Sequence, residues 1–418
     1  MTDSVYQKTV LPNGIRVATE AMPNVRSITV GVWVDVGSRD EEANENGISH
    51  LLEHMIFKGT ARRTALDIAK ELDAIGGMSN AFTCKEQTCF HAKVLDTHLD
   101  QVVDLLLDIF RNSLFDPLDI EREKQVVLQE ISMVEETPDE YSSVLFSQEF
   151  WGDNSLGRSV LGSVEAVSSF SHEKIASYIG NSYIPSRTII TAAGNVDHQR
   201  FLNLLRGPLE SMVPINGRNL RVTPHIGRVV KTIPRNAEQV HLNLGGRGPA
   251  AADETRYADT LLSTILGGTM SSRLFQEIRE KRGLAYTVYS YISSHVDIGR
   301  LGFYLAVRPD TVVPALEVLF KELELVRSGR LDQAELDAAR EYLKGSVLLT
   351  SESSESRMMR LARNEIAFER LIPFDEMLEK VNAVTVDDVI ELARTRLDPA
   401  SLSIVSYGPY EKDLDLFS

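Results

Sequence analysis

Gly47-Ile48-Ser49-His50-Leu51-Leu52-Glu53-His54-Met55-Ile56-Phe57-Lys58-Gly59-Thr60 decides how this chain is read. A Gly-Ile-Ser opening before an apolar run, with polar residues at i, i+3 and i+4, predicts a helix. Residues three and four apart share one helical face, so His50, Glu53 and His54 project together. Leu51, Leu52, Met55 and Ile56 supply the buried remainder. Two imidazoles one turn apart can hold a zinc ion, and the carboxylate between them can take a proton from an activated water. The order H-x-x-E-H is the inverse of the H-E-x-x-H zinc helix.

A catalytic zinc usually takes three protein ligands and one water, which calls for a third ligand elsewhere. A second helix is signalled downstream: Asp116 suits the N-cap, Pro117 the first helical position, and acidic residues crowd the first turn. Glu123 and Glu130 lie two turns apart on it and face the same way. Spacing along one helix leaves both open as the metal ligand.

Gly47 to Thr60 resembles the signature of the pitrilysin family of zinc peptidases, which includes insulysin and the mitochondrial processing peptidase. The resemblance implies a third ligand 76 residues beyond the second histidine, which is Glu130, and a supporting glutamate one heptad earlier, which is Glu123. It implies one zinc per chain, held by His50, His54 and Glu130, with Glu53 as the general base.

At 418 residues the chain is too long for one ordinary core and predicts two or more domains. Its 43% hydrophobic and 25% charged residues are those of a globular protein. A net charge of −16 argues against nucleic acid as a partner, since phosphates need a basic surface. No apolar run is long enough to span a membrane, and the first residues have the character of neither a signal peptide nor a mitochondrial presequence, so the expected location is the cytoplasm. Cys84 and Cys89 are five apart in a strand-like stretch, which puts them on opposite faces and argues against a bridge.

Residues 8–36 read as β-structure, 64–75 as an amphipathic helix ended by Gly76-Gly77, and 78–94 as two strands. Gly77 to Thr83 has the Gly-x-x-Asn-Ala-x-Thr pattern of the same family, which implies an edge strand where Asn80 and Ala81 pair with substrate backbone. Such pairing holds any extended peptide, whatever its sequence. Leu99 to Asn112 has helical apolar spacing, and 187–194 reads as a closing strand. Glycine, proline and asparagine accumulate between Arg206 and Arg228, a linker signal that puts the domain boundary near residue 216. The expected domains are 1–215, which binds zinc, and 216–418.

The second half echoes the first at an offset of 209: His50 to Thr60 aligns with Asp259 to Thr269. The apolar frame repeats, but His50, Glu53 and His54 become Asp259, Leu262 and Ser263. The expected fold class is therefore α+β: two similar domains, each a mostly antiparallel β-sheet packed with α-helices, related by internal duplication, the second free of metal. Ser272 to Tyr286 resembles the family segment in which an arginine and a tyrosine, here Arg279 and Tyr286, face the zinc site from another domain, bind substrate and stabilise its oxyanion. Short family members pair up. Because this chain has both the zinc motif and the Arg279/Tyr286 segment, the resemblance implies a homodimer in which each subunit completes the other's site. The expected function is zinc-dependent hydrolysis of peptides or unfolded precursor segments. The alternatives are a non-catalytic structural or partner subunit of the same fold, and a zinc hydrolase acting on something other than peptides.

Overall fold

A computed structural model of the chain describes residues 5–215, 221–412 and 414. Its strands are β1 (Val5–Val10), β2 (Arg16–Ala21), β3 (Ser27–Val34), β4 (Met78–Thr83), β5 (Thr88–Leu95), β6 (Thr188–Gly194), β7 (Val230–Pro234), β8 (Val240–Gly248), β9 (Ala285–Ser294), β10 (Gly299–Val307) and β11 (Ser403–Gly408). The helices are α1 (Ile48–Met55), α2 (Ala65–Ala74), α3 (Leu99–Asn112), α4 (Pro117–Glu136), α5 (Pro138–Trp151), α6 (Val164–Ser169), α7 (His172–Ser182) and α8 (His198–Glu210). They continue with α9 (Arg256–Ser263), α10 (Val312–Arg327), α11 (Gln333–Thr350), α12 (Ser354–Phe368), α13 (Phe374–Ala383) and α14 (Val386–Arg396). None of the helices among the described residues is long and apolar enough to cross a membrane.

The strands form two sheets, ordered β1-β2-β6-β3-β5-β4 and β7-β11-β8-β10-β9. If β2 to β6 are matched in chain order with β7 to β11, the two orders coincide. The matched pairs β2–β6 and β7–β11 are also the two parallel ones, in otherwise antiparallel sheets. Both sheets therefore carry one topology, the α+β duplication expected from the sequence.

Alternation along β3 shows how the first sheet is covered. Ile28, Val30, Val32 and Val34 enter a core with Leu51, Leu52 and Met55 of α1 and the buried face of α3. Thr29 and Gly31 point the other way, as a period of two requires, and meet α12. Thr29 Oγ1 lies 2.9 Å from Ser354 Oγ, and a Cβ on Gly31 would fall 2.4 Å from Met358 Sδ. Two buried carboxylates lock α12 down: Glu20 pairs with Arg357 at 2.5 Å and Glu365 with Lys8 at 2.6 Å. In the second sheet Val240, Leu242 and Leu244 of β8 enter their own core. Asn243 and Gly245 face α5, with Asn243 Nδ2 donating to Ser142 Oγ at 3.0 Å.

The compact units consequently differ from the contiguous halves 1–215 and 216–418. One unit comprises Met1–Ser132, Arg158–Arg221 and Thr350–Leu371; the other comprises Met133–Gly157, Val222–Leu349 and Ile372–Ser418. Each includes one helix from the opposite half of the sequence, which covers the Thr29/Gly31 face of the first sheet and the Asn243/Gly245 face of the second. The expected boundary at residue 216 lies outside the described residues. Gly207 and Pro208, read as linker, belong to α8, where Phe201, Leu202, Leu205 and Leu209 bury an apolar face that outweighs the local breakers.

Candidate metal centre

The first unit builds its site on α1 and α4. Gly47 precedes α1 with φ +98°, a left-handed conformation that favours glycine, and no side chain of its own caps the helix. A Cβ there would also meet the Leu161 carbonyl oxygen at 2.6 Å. The capping role falls to Glu41, which is 3% exposed. Its carboxylate accepts hydrogen bonds from Gly47 N (2.8 Å), Ser49 N (2.9 Å) and Asn46 Nδ2 (3.1 Å). Anions suit helix N-termini, where four amides lack partners. The loop carrying Glu41 is itself fixed: Arg158 donates to the Glu41 carbonyl at 2.8 Å, and Arg221 pairs with Asp40 at 2.8 Å.

Ile48, Leu51, Leu52 and Met55 bury one side of α1, which leaves His50, Glu53 and His54 on the other. His50 Nε2 lies 3.5 Å from Glu130 Oε2, and His54 Nε2 lies 3.7 Å from Glu130 Oε1. One ligand atom from each of His50, His54 and Glu130 falls within 4.8 Å of the others, and no other metal-competent group of this kind occurs among the described residues. The opposite ring nitrogen of His54, Nδ1, lies 3.2 Å from Glu123 Oε2. Glu123 and Glu130 thus stand at opposite edges of one imidazole. Glu130 joins both Nε2 atoms, whereas Glu123 stands behind His54. Lys58 Nζ holds the other Glu123 oxygen at 2.6 Å.

The donor set fits a zinc ion. Two ligands about 2.05 Å from a tetrahedral ion sit about 3.3 Å apart, close to the two nitrogen–oxygen separations and longer than good hydrogen bonds. Burial, and then the neighbouring His54, push His50 down to about 4, so its ring is neutral near pH 7, the metal-ligating form. A carboxylate only accepts, so the His54–Glu123 contact puts the hydrogen on Nδ1 and frees Nε2. Beside them, burial pushes the Glu53 carboxyl up from its ordinary value, and hydrogen bonds from Thr83 partly offset this.

Asn80 and Ala81 lie in the middle of β4, which is an edge of its sheet. Asn80 is exposed, and its Oδ1 accepts from Ala81 N at 2.9 Å. Cys84 follows β4, Cys89 lies in β5, and both are free thiols. Arg279 and Tyr286 belong to the second unit and touch: the guanidinium lies 4.6 Å from the centre of the Tyr286 ring and 4.8 Å from that of Phe275. Arg279 sits in a π-helical turn, Phe275–Glu280, rather than on a regular α-helix. Where the repeat replaces His50 by Asp259, that carboxylate is buried and paired with Arg396 at 2.9 Å. Ser263, which replaces His54, bonds Ser290 at 3.0 Å.

Sequence reasoning missed two supporting residues, Lys58 and Glu41. Lys58 follows His54 by four positions, a spacing that could have pointed to it. Glu41 could have been sought because no Ser, Thr, Asp or Asn stands directly before Ile48.

A duplicated α+β scaffold with an inverted metal helix in only one of its copies defines a class of metallopeptidase-like proteins. The chain belongs to peptidase family M16: the family model "Insulinase (Peptidase family M16)" matches residues 16–164, and "Peptidase M16 inactive domain" matches residues 169–343. An uncharacterized zinc protease of Streptomyces coelicolor is 42% identical over 96% of this chain and 89% of its own. Another, YmxG of Bacillus subtilis, is 39% identical over 91% of this chain and 93% of its own. The crystal structure of a protease from Helicobacter pylori has the same fold, with a TM-score of 0.90, 22% identity, and coverage of 97% of this chain and 100% of that one.

Proposed function

We propose that this chain is a zinc-dependent endopeptidase acting on peptides or unfolded precursor segments. The observation that carries this is the convergence of His50, His54 and Glu130 within 4.8 Å, with Glu53 on the same helical face. A zinc ion held by these three residues would polarise the scissile carbonyl and lower the pKa of a water toward about 7. Glu53 takes a proton from the attacking water on its carboxylate and returns it to the departing amine nitrogen. Its burial supports this role, because a carboxyl raised toward neutrality is a stronger base than a solvated one. Glu123 holds the hydrogen at His54 Nδ1, and Lys58 keeps Glu123 in place. Edge strand β4 supplies the backbone groups that hold a peptide extended past Asn80 and Ala81.

Arg279 and Tyr286 take the substrate carbonyl and its developing negative charge in a second copy of the chain, so the active species is a homodimer. Preorganisation supports this role, since Phe275 and Tyr286 hold the guanidinium between their rings. Glu53→Gln should bind one zinc per chain and hydrolyse an unstructured peptide at a small fraction of the wild-type rate; normal cleavage by that variant would remove Glu53 as the base. Mixing inactive Glu53→Gln with inactive Arg279→Ala chains should restore part of the activity. No recovery after verified subunit exchange would exclude sharing of the site between copies.

A further inference from the structure

The metal ligands on α1 and the edge strand β4 belong to different elements, so their spacing depends on what joins the two. A direct link is long: Thr83 Oγ1, at the end of β4, donates to the Ser49 carbonyl of α1 at 3.3 Å. The loop before α1 supplies firmer ones. Ser38 N and Arg39 N donate to the carbonyls of Cys84 and Lys85 at 3.1 and 2.7 Å, in the β4–β5 turn that Cys84 N closes on Gln87 O at 2.7 Å. Arg39 Nη1 adds an ion pair to Glu86 Oε1 at 2.6 Å. The loop then runs on through Asp40 to Glu41, whose carboxylate caps α1.

Asp40 is held by a residue from far along the chain. Arg221 falls in the stretch whose composition reads as a linker, yet it belongs to the first unit and its side chain is only 7% exposed. Its Nε and Nη2 donate to the two carboxylate oxygens of Asp40 at 2.9 and 2.8 Å, a bidentate fork. The same Nη2 reaches the backbone carbonyls of Glu86 at 3.0 Å and Asp35 at 3.2 Å. One guanidinium thus bridges the residue beyond β3, the capping loop and the turn that ends the edge strand. The side chains of Asp35, Asp40 and Glu86 are as buried as that of Arg221, so water does not loosen the contacts as it does for a surface pair.

We propose that Arg221 is a positioning residue for the reaction: it clamps the loop that caps the metal helix to the turn that ends the edge strand. The clamp sets the distance between the zinc ligands and a peptide paired with β4. This rests on the endopeptidase reading above, and the substrate class is an extended peptide. Pairing along the strand governs how well the peptide binds, whereas the strand-to-metal distance governs how well it reacts. A shift of about 1 Å between the two can cost roughly a hundredfold in rate.

Arg221→Met removes the fork and the charge together. Against an unstructured peptide, well below the melting temperature of the variant, kcat should fall roughly ten- to hundredfold. KM should stay near the wild-type value, and one zinc per chain should remain bound. This variant should also melt early, because Asp40 loses its buried partner. Arg221→Lys separates the two effects. It keeps a positive charge among the carboxylates but has no planar fork to bridge Asp40 and the Glu86 carbonyl, so it should recover most of the melting temperature and little of the kcat. Full kcat in Arg221→Met overturns the proposal and leaves the peptidase reading intact. A kcat that returns with the melting temperature in Arg221→Lys assigns the residue to stability alone and also overturns it, as does loss of zinc from either variant. If Arg221→Met does not fold, the kcat of Arg221→Lys decides. Absence of zinc-dependent cleavage by the wild type overturns both readings.

Discussion

Replacing Glu41 by alanine should weaken the metal helix more than any other change away from the ligands. The carboxylate is 3% exposed and satisfies three donors, at Gly47 N, Ser49 N and Asn46 Nδ2. Alanine leaves those donors buried beneath a small cavity. Each stranded buried donor costs about 1–3 kcal/mol, and relaxation of the loop will recover part, so a loss of about 4 kcal/mol is reasonable. In a unit of this size each kcal/mol lowers the melting temperature by about 2–4 °C, which gives a fall of roughly 8–16 °C. Glu41→Gln is the sharper probe. Its amide oxygen can replace Oε2 for Gly47 and Asn46, but its NH2 then faces the Ser49 N–H, donor against donor. One lost bond costs about 2 kcal/mol, or roughly 4–8 °C. Calorimetry of the metal-free protein reads stability, and chelator competition reads zinc affinity, which should fall with it because Ser49 directly precedes His50. If Glu41→Ala melts within about 2 °C of wild type and binds zinc as tightly, the carboxylate does not cap the helix and this reasoning fails.

Three further outcomes follow from the same unit. Asp108→Asn should flatten the acid limb of the stability curve: burial alone would raise this carboxyl, but hydrogen bonds from Asn112, Arg63, Thr60 and Arg62 hold it down to about 2. Because the folded pKa lies below the unfolded one, about 2 kcal/mol is complete above about pH 4 and is lost as pH falls through about 2; an unchanged acid limb in the variant would refute it. Glu123→Gln should weaken zinc about ten- to hundredfold and Lys58→Met by less, since Lys58 acts through Glu123; equal affinity in chelator competition would break that chain. Gly47→Ala should lower the melting temperature and zinc affinity together, because it combines φ +98° with a Cβ 2.6 Å from the Leu161 oxygen; wild-type values for both would show that the turn can move.

Much of this molecule could be read before its coordinates. Leu99–Asn112 emerged with the expected ends because its apolar spacing and burial agree. The run from Ser27 emerged as β3 because every second residue meets a helical core. The duplication showed in an aligned apolar frame, and the matching strand orders make it structural. The helix exchange was out of reach for a different reason. The sheet that α5 and α12 each cover is set by Gly31, Thr29, Asn243 and Gly245, far away in the chain. Gly207-Pro208 misled because breakers in a sequence say nothing of the buried face that overrides them. At the site, the shared face of His50, Glu53 and His54 on α1 and of Glu123 and Glu130 on α4 was legible. The division of labour between Glu123 and Glu130 depends on how two helices cross, which local pattern does not encode.

X-ray absorption at the zinc edge, on protein loaded with one equivalent of zinc, addresses the metal centre most directly. The spectrum should show two imidazole nitrogens and a carboxylate oxygen at about 2.0–2.2 Å, and His50→Ala, His54→Ala and Glu130→Ala should each lose the bound ion. Zinc retained at full stoichiometry in the Glu130→Ala and His50→Ala variants, with an unchanged spectrum, would contradict it.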